Sequence, residues 1–253
     1  MKTEKIFKKV IPSGNAGGVY VPKRWINQYV VVSLFSIEEY VLNVLTPFMK
    51  DIKGVYLYGS HARRDACPDS DMNVFVLCDK DIPYQRMPGL SIEVFSLDKM
   101  EELARDKPVD YYCMINEAVP LLDTGLLKKL KCFTLDREKI NKFYGEVRSG
   151  LKMTDDLVSD GDYAAAIYSF VLRLRGLCVA EKAPEKYSRK GFEKYLIGKG
   201  VTKEGFRRFY DIYRAKRDDR FVKTPVSFAD VKCLRDITER ILKEAEGIYP
   251  QTG

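Results

Sequence analysis

Asp71 and Asn73 are oxygen-bearing side chains two residues apart at the head of the apolar run Met72-Asn-Val-Phe-Val-Leu77. That run reads as a strand, and residues two apart on a strand share a face. Just upstream, Val55-Tyr-Leu-Tyr58 reads as a buried strand that ends in Gly59-Ser60. Residues 61–64 then read as one helical turn, ended before Pro68. Backbone N–H groups and a serine hydroxyl at such a strand-to-helix turn make an anion site, reinforced by the helix dipole. A phosphate cradle facing hard oxygen donors suits the chemistry of a magnesium-bound nucleotide.

Gly59, Ser60, Ala62, Arg63, Ser70 and Asp71 stand in an order and spacing that resembles the nucleotidyltransferase superfamily of DNA polymerase β-like fold. Its minimal and kanamycin-nucleotidyltransferase-like branches are the nearest in pattern. The family motif is an apolar strand, Gly-Ser-x-Ala-Arg-Gly, a spacer, Ser-Asp-x-Asp and a second apolar strand. Two positions depart from it: Arg64 stands where Gly is usual, and Asn73 where the second metal-binding Asp is usual.

The resemblance implies a role for each matching residue. Gly59 and Ser60 hold the β- and γ-phosphates, Arg63 neutralises them, and Ser70 belongs to the nucleotide site. Asp71 and Asn73 ligate Mg²⁺, with Mn²⁺ as an alternative. The family's third carboxylate lies on a later strand, and Glu93 is the only acid in the alternating run 90–95. As that third carboxylate it is a metal ligand or general base; otherwise it is an ordinary solvent-face residue of an antiparallel strand. The implied reaction moves an NMP from an NTP to an acceptor hydroxyl, with the acceptor a protein side chain, a small molecule or RNA. Asn73 keeps an oxygen ligand but removes a full negative charge, so a second reading stands beside the first: a catalytically impaired nucleotide-binding or DNA-binding regulator.

The elements that must position these residues fall into three segments, together an α+β chain. Residues 36–125 form the nucleotidyltransferase-like domain, a small mixed sheet with flanking helices. Ser36 caps a helix with an apolar stripe through Tyr40, Val41, Val44, Leu45 and Phe48. Residues 97–105 form another helix, while Tyr111-Tyr112-Cys113-Met114 and residues 118–122 resemble the family's closing helix and last strand, with the aromatic residues there read as core, base-stacking being the alternative. Residues 126–253 are helical, with helices expected over 136–158, 163–180, 187–197, 203–217 and 228–248. Short connections between them imply an antiparallel bundle. It resembles HEPN-like and kanamycin-nucleotidyltransferase C-terminal bundles. It lacks the histidine that HEPN ribonucleases use, since His61 is the only histidine of the chain. His61 itself reads as a surface residue of the short helix. Arg173 and Arg175 interrupt an apolar helix, which calls for partners or for a place at the nucleotide cleft. Arg214, Lys216, Arg217 and Arg220 form either a phosphate- or RNA-binding cluster or a solvated helix face.

Residues 1–35 read as a β-rich module: strands at 8–12 and 19–23 around the Ser13-Gly14-Asn15 turn cluster, then a β-branched strand at 29–34. They resemble the AbrB-like swapped-hairpin module, in which two copies interleave and basic strands meet DNA; a hairpin appended to the next sheet is the alternative. So short a segment buries little core alone, and the resemblance implies a homodimer.

Composition fits an ordinary globular protein, with 45% hydrophobic and 31% charged residues. The formal charge of +7 suits polyanionic partners: nucleoside triphosphates, DNA or RNA. The six cysteines are scattered without a Cys-x-x-Cys pair, which points to reduced thiols and a cytoplasmic location. No run of 18 apolar residues suggests a membrane span, and no secretory leader is apparent.

Overall fold

The computed structural model describes residues 6, 8, 10–32, 34, 36–66, 70–80, 82, 89–217 and 220–248. Cys67 and Pro68 lie outside the described residues, as do Lys9 of the first expected strand and residues 33 and 35 around the third. The α+β class expected from the sequence is found: a mixed four-stranded sheet with helices on both faces, a separate short hairpin, and a long helical segment.

The central sheet has the order β5-β4-β3-β6. Strands β3 (Ile52–Tyr58), β4 (Met72–Cys78) and β6 (Val119–Asp123) are antiparallel neighbours, and β5 (Leu90–Phe95) runs parallel to β4. Burial on both faces explains the near-continuous apolar sequences of β3 and β4. Val55, Leu57, Val74 and Val76 face Val41 and Leu45 of α1 (Ile37–Leu45). Tyr56, Phe75 and Leu77 face Met100 of α3 (Leu97–Asp106) and Tyr111, Met114 and Ile115 of α4 (Pro108–Glu117). The aromatic residues of α4 are thus core, as expected. Ser36 and Ser96 cap α1 and α3 by accepting from the third N–H of each helix, and Pro108 opens α4, where its missing N–H costs nothing.

The helical segment contains α6 (Arg137–Ser159), α7 (Tyr163–Lys182), α8 (Arg189–Gly198), α9 (Lys203–Arg217) and α10 (Phe228–Ile248). A short helix, α5 (Leu126–Leu130), precedes them where the sequence reading had only a connection. Helix α7 packs against α6, α9 and α10 through Ile167, Phe170, Val171, Leu174 and Leu177. By length and composition α7 is apolar enough to cross a membrane, but half of its most apolar stretch is buried within the bundle. A small cluster of Val109 and Tyr112 from α4 with Val179 from α7 welds the bundle to the sheet domain.

The N-terminal segment differs from expectation. Among its described residues the strands are β1 (Ile11–Ser13) and β2 (Ala16–Gly18), moved inward around the turn. No described residue of 29–34 is in a strand, and Tyr29, Val31 and Leu34 are almost fully exposed. The physical reason is pairing: β propensity needs a neighbouring edge, and among the described residues no strand pairs with this stretch.

Candidate active site

Strand β3 delivers the chain to Gly59, whose φ of +76° is open to glycine at little cost. A Cβ here would also lie 2.8 Å from the Asn73 amide nitrogen, so the residue type is fixed twice. Ser60–Arg63 then forms the one-turn helix α2, and Arg64 closes it in the left-handed region. His61 Nδ1 lies 3.1 Å from the Asp71 carbonyl oxygen, tying the turn to the start of β4.

Register places the oxygen donors. Tyr58 pairs with Asn73 across β3–β4, and Phe75 pairs with Glu93 across β4–β5. Asn73 and Glu93 therefore share the sheet face that carries Tyr58, and the Tyr58 hydroxyl donates to Glu93 at 3.0 Å. Burial, with Glu93 alongside, pushes the Tyr58 phenol well above its ordinary range, so it stays a donor. Asn73 and Glu93 line one large cleft together with Gly59, Ser60 and Ser70. Asp71 precedes the strand, is exposed, and stands outside that lining.

Asn73 and Glu93, which share the cleft, offer an amide and a carboxylate oxygen of the kind a hard divalent cation takes, while Asp71, the second carboxylate expected, lies outside the lining. Among the described residues no three His, Cys, Asp or Glu side chains cluster as a metal site. The amide of Asn73 falls outside that set of residue types. Among the described residues, Glu93 receives one hydrogen bond, on Oε1.

Arg63, matched by motif to phosphate neutralisation, lies in the cleft but is engaged inside the protein. Its Nη1 donates to Glu117 Oε2 at 2.5 Å, and its Nη2 lies 3.3 Å from Asp65 Oδ1. Its guanidinium also stacks 5.2 Å from the Tyr187 ring centroid. Glu117, at the end of α4, accepts in addition from the Gly59 N–H at 3.2 Å. Burial raises the Glu117 carboxyl above its usual range, and Arg63 opposes that shift.

The cleft, of about 810 Å³, runs between the sheet domain and the bundle. The bundle contributes Arg173, Arg175, Tyr187, Arg189, Tyr210, Tyr213, Arg214 and Arg217 to its wall. Both helix-interior arginines marked in the sequence thus reach it. Arg175 donates from Nε to the Tyr187 hydroxyl at 3.1 Å and from Nη1 to the Tyr213 hydroxyl, with its guanidinium over both rings. Among the described residues no carboxylate lies within ion-pair distance of it. Arg173 donates to Ser169, and burial lowers its affinity for a proton. Arg189 stacks over Tyr210, and its N–H donates to Asp65 Oδ2 at 3.3 Å. Arg214 and Arg217 join this wall, while Lys216 turns to Asp162 at 3.4 Å.

Asp110 and Glu146 also line the cleft, and burial raises both carboxyls. The sequence reading found the turn, the two strands and the helix-interior arginines. It missed Glu117, Tyr187, Arg189 and Tyr210, whose one local signal was Ser188, a helix cap that places Arg189 at a helix start.

Residues 42–138 match the family model described as Polymerase beta, Nucleotidyltransferase. The match takes in the turn, β3 to β6 and α4. No curated protein matches the chain. Among solved structures, the chain is similar to spectinomycin adenyltransferase AAD(9) from Enterococcus faecialis, crystallised with ATP and spectinomycin. That likeness has 12% identity and a TM-score of 0.49, covering 81% of this chain and 97% of the other. A nucleotidyltransferase-like protein from Exiguobacterium sibiricum 255-15 is similar at 13% identity and a TM-score of 0.36, covering 83% and 75%.

Proposed function

We propose, from the nucleotidyltransferase domain that residues 42–138 match, that the protein moves a nucleoside monophosphate from a nucleoside triphosphate to an acceptor hydroxyl. The observation that carries the reading is one cleft in which the Gly59-Ser60 turn, Asn73 and Glu93 face an arginine- and tyrosine-rich wall. Ser60 and Ser70 offer hydroxyl donors to phosphate oxygens, and Gly59 keeps the approach clear of a side chain. Arg175 and Arg189 bring positive charge from the bundle side. Glu93, oriented by the Tyr58 hydroxyl, takes the proton of the acceptor hydroxyl as that oxygen attacks the α-phosphorus and pyrophosphate leaves. Asp71, Asn73 and Glu93 would hold Mg²⁺ or Mn²⁺, which when bound supplies charge neutralisation at the transferring phosphate.

A homodimer built through residues 1–35 belongs to the same proposal, supported by the exposed apolar side chains of 29–34. So does a cytoplasmic location, supported by the free thiols of Cys78, Cys113, Cys132, Cys178 and Cys233. DNA or RNA is a further partner that the basic balance supports.

Thermal shift with ATP, GTP, CTP and UTP, with and without Mg²⁺, tests the reading without knowledge of the acceptor. Stabilisation that needs Mg²⁺ and disappears in Asp71→Ala is the expected result; no shift with any triphosphate defeats it. The Asn73 amide favours a second reading, a nucleotide-binding regulator without turnover. Asn73→Asp separates the two: a weakened enzyme gains transfer of label from an α-labelled triphosphate, whereas a regulator gains affinity alone.

A further inference from the structure

Glu117 occupies an unfavourable place for a carboxylate. It is the last residue of α4, where the free carbonyls of a helix repel negative charge, and its side chain is only 7% exposed. Two donors compensate it through one oxygen, the Gly59 N–H and Arg63 Nη1. Arg63 is in turn held on its other side by Asp65 and covered on one face by Tyr187. Asp65 also accepts from the Arg189 N–H at the start of α8. A connected set of contacts therefore runs from the Gly59 backbone through Glu117, Arg63 and Asp65 to the bundle.

A phosphate that took Arg63 for itself would leave Glu117 as a buried charge without its partner, which is strongly disfavoured. We propose that Glu117 is a positioning residue for nucleotide binding, and that Arg63, clamped by it, is a strut between turn and bundle, not a phosphate ligand. This rests on the nucleotidyltransferase reading above. Glu117 holds the backbone of Gly59 at its positive φ and thereby fixes where Ser60, the next residue, stands in the cleft.

The proposal fixes the sign of an experiment. Coulomb's law alone says that removing a carboxylate beside an anion site tightens anion binding; loss of positioning loosens it. The measurement is Mg–triphosphate affinity by titration calorimetry, using ATP, GTP, CTP and UTP, on full-length wild type, Glu117→Gln, Arg63→Gln and the double variant. Thermal unfolding without nucleotide is recorded alongside. Expected are losses of about tenfold or more for each single variant, with the double variant no weaker than the weaker single. The double variant, which removes both charges of the pair, serves if Glu117→Gln leaves too little folded protein; it too must bind about tenfold more weakly. Glu117→Gln binding as tightly as wild type, or more tightly, overturns the proposal. So does a lowered melting temperature with unchanged affinity, the mark of a merely structural pair. Wild type that binds no triphosphate defeats the nucleotidyltransferase reading itself and the positioning role with it.

Discussion

Asp123, at the end of β6, holds several groups through one oxygen. Its Oδ1 accepts from the Tyr56 hydroxyl at 2.6 Å and from the N–H groups of Gly125, Leu126 and Leu127. Burial works against its charge, but these donors outweigh it and hold the carboxyl below its usual range. Asp123→Ala leaves the phenol of the fully buried Tyr56 without its acceptor and is expected to cost about 1–3 kcal/mol in urea unfolding at neutral pH. A depressed folded value gives stability that is present above the unfolded value, about pH 4, and is lost as pH falls through the folded one. The gap between wild type and variant should therefore shrink below about pH 4. Residue-level legibility followed distance along the chain. Gly59, Ser60 and Asn73 were readable from the sequence because the turn and the β3–β4 register that seat them lie close together in the chain. Glu117 was not, because its contact with Arg63 spans 54 positions and depends on how α4 lies against the sheet.

Helices were the most legible elements, because their starts carry their own chemistry. Ser36, Ser96, Asp136, Asp162 and Ser188 each accept from an N–H three residues on. Asp162→Ala, at the head of α7, should lower stability by about 1 kcal/mol, measured as a shift in denaturation midpoint with unchanged slope. Sheet strands were found within a few residues of their ends, whereas the N-terminal strands were misplaced. An apolar, β-branched stretch reports its wish to be paired, not where a partner is. Helix α5 escaped notice because Leu126-Leu-Lys-Lys-Leu is too short for a periodic stripe, and its start is set by Asp123 from a strand.

At the scale of the molecule, the exposed apolar side chains of Tyr29, Val30, Val31, Val32 and Leu34 lead to a test. Deleting residues 1–35 should convert the proposed dimer into a monomer by light scattering, while the remaining chain keeps its helical content by circular dichroism. A full-length chain that is already monomeric would remove the dimer from the account. The cleft has an order of assembly written into it as well. Its floor comes from β3 to β5 and its opposite wall from residues near 173–217, so a ribosome completes the floor long before it makes the wall. A nascent chain released after the sheet domain would carry the turn and the oxygen donors but no arginine face. Any competence to hold a triphosphate would then wait until the residues near 173–217 had been made and folded against the sheet.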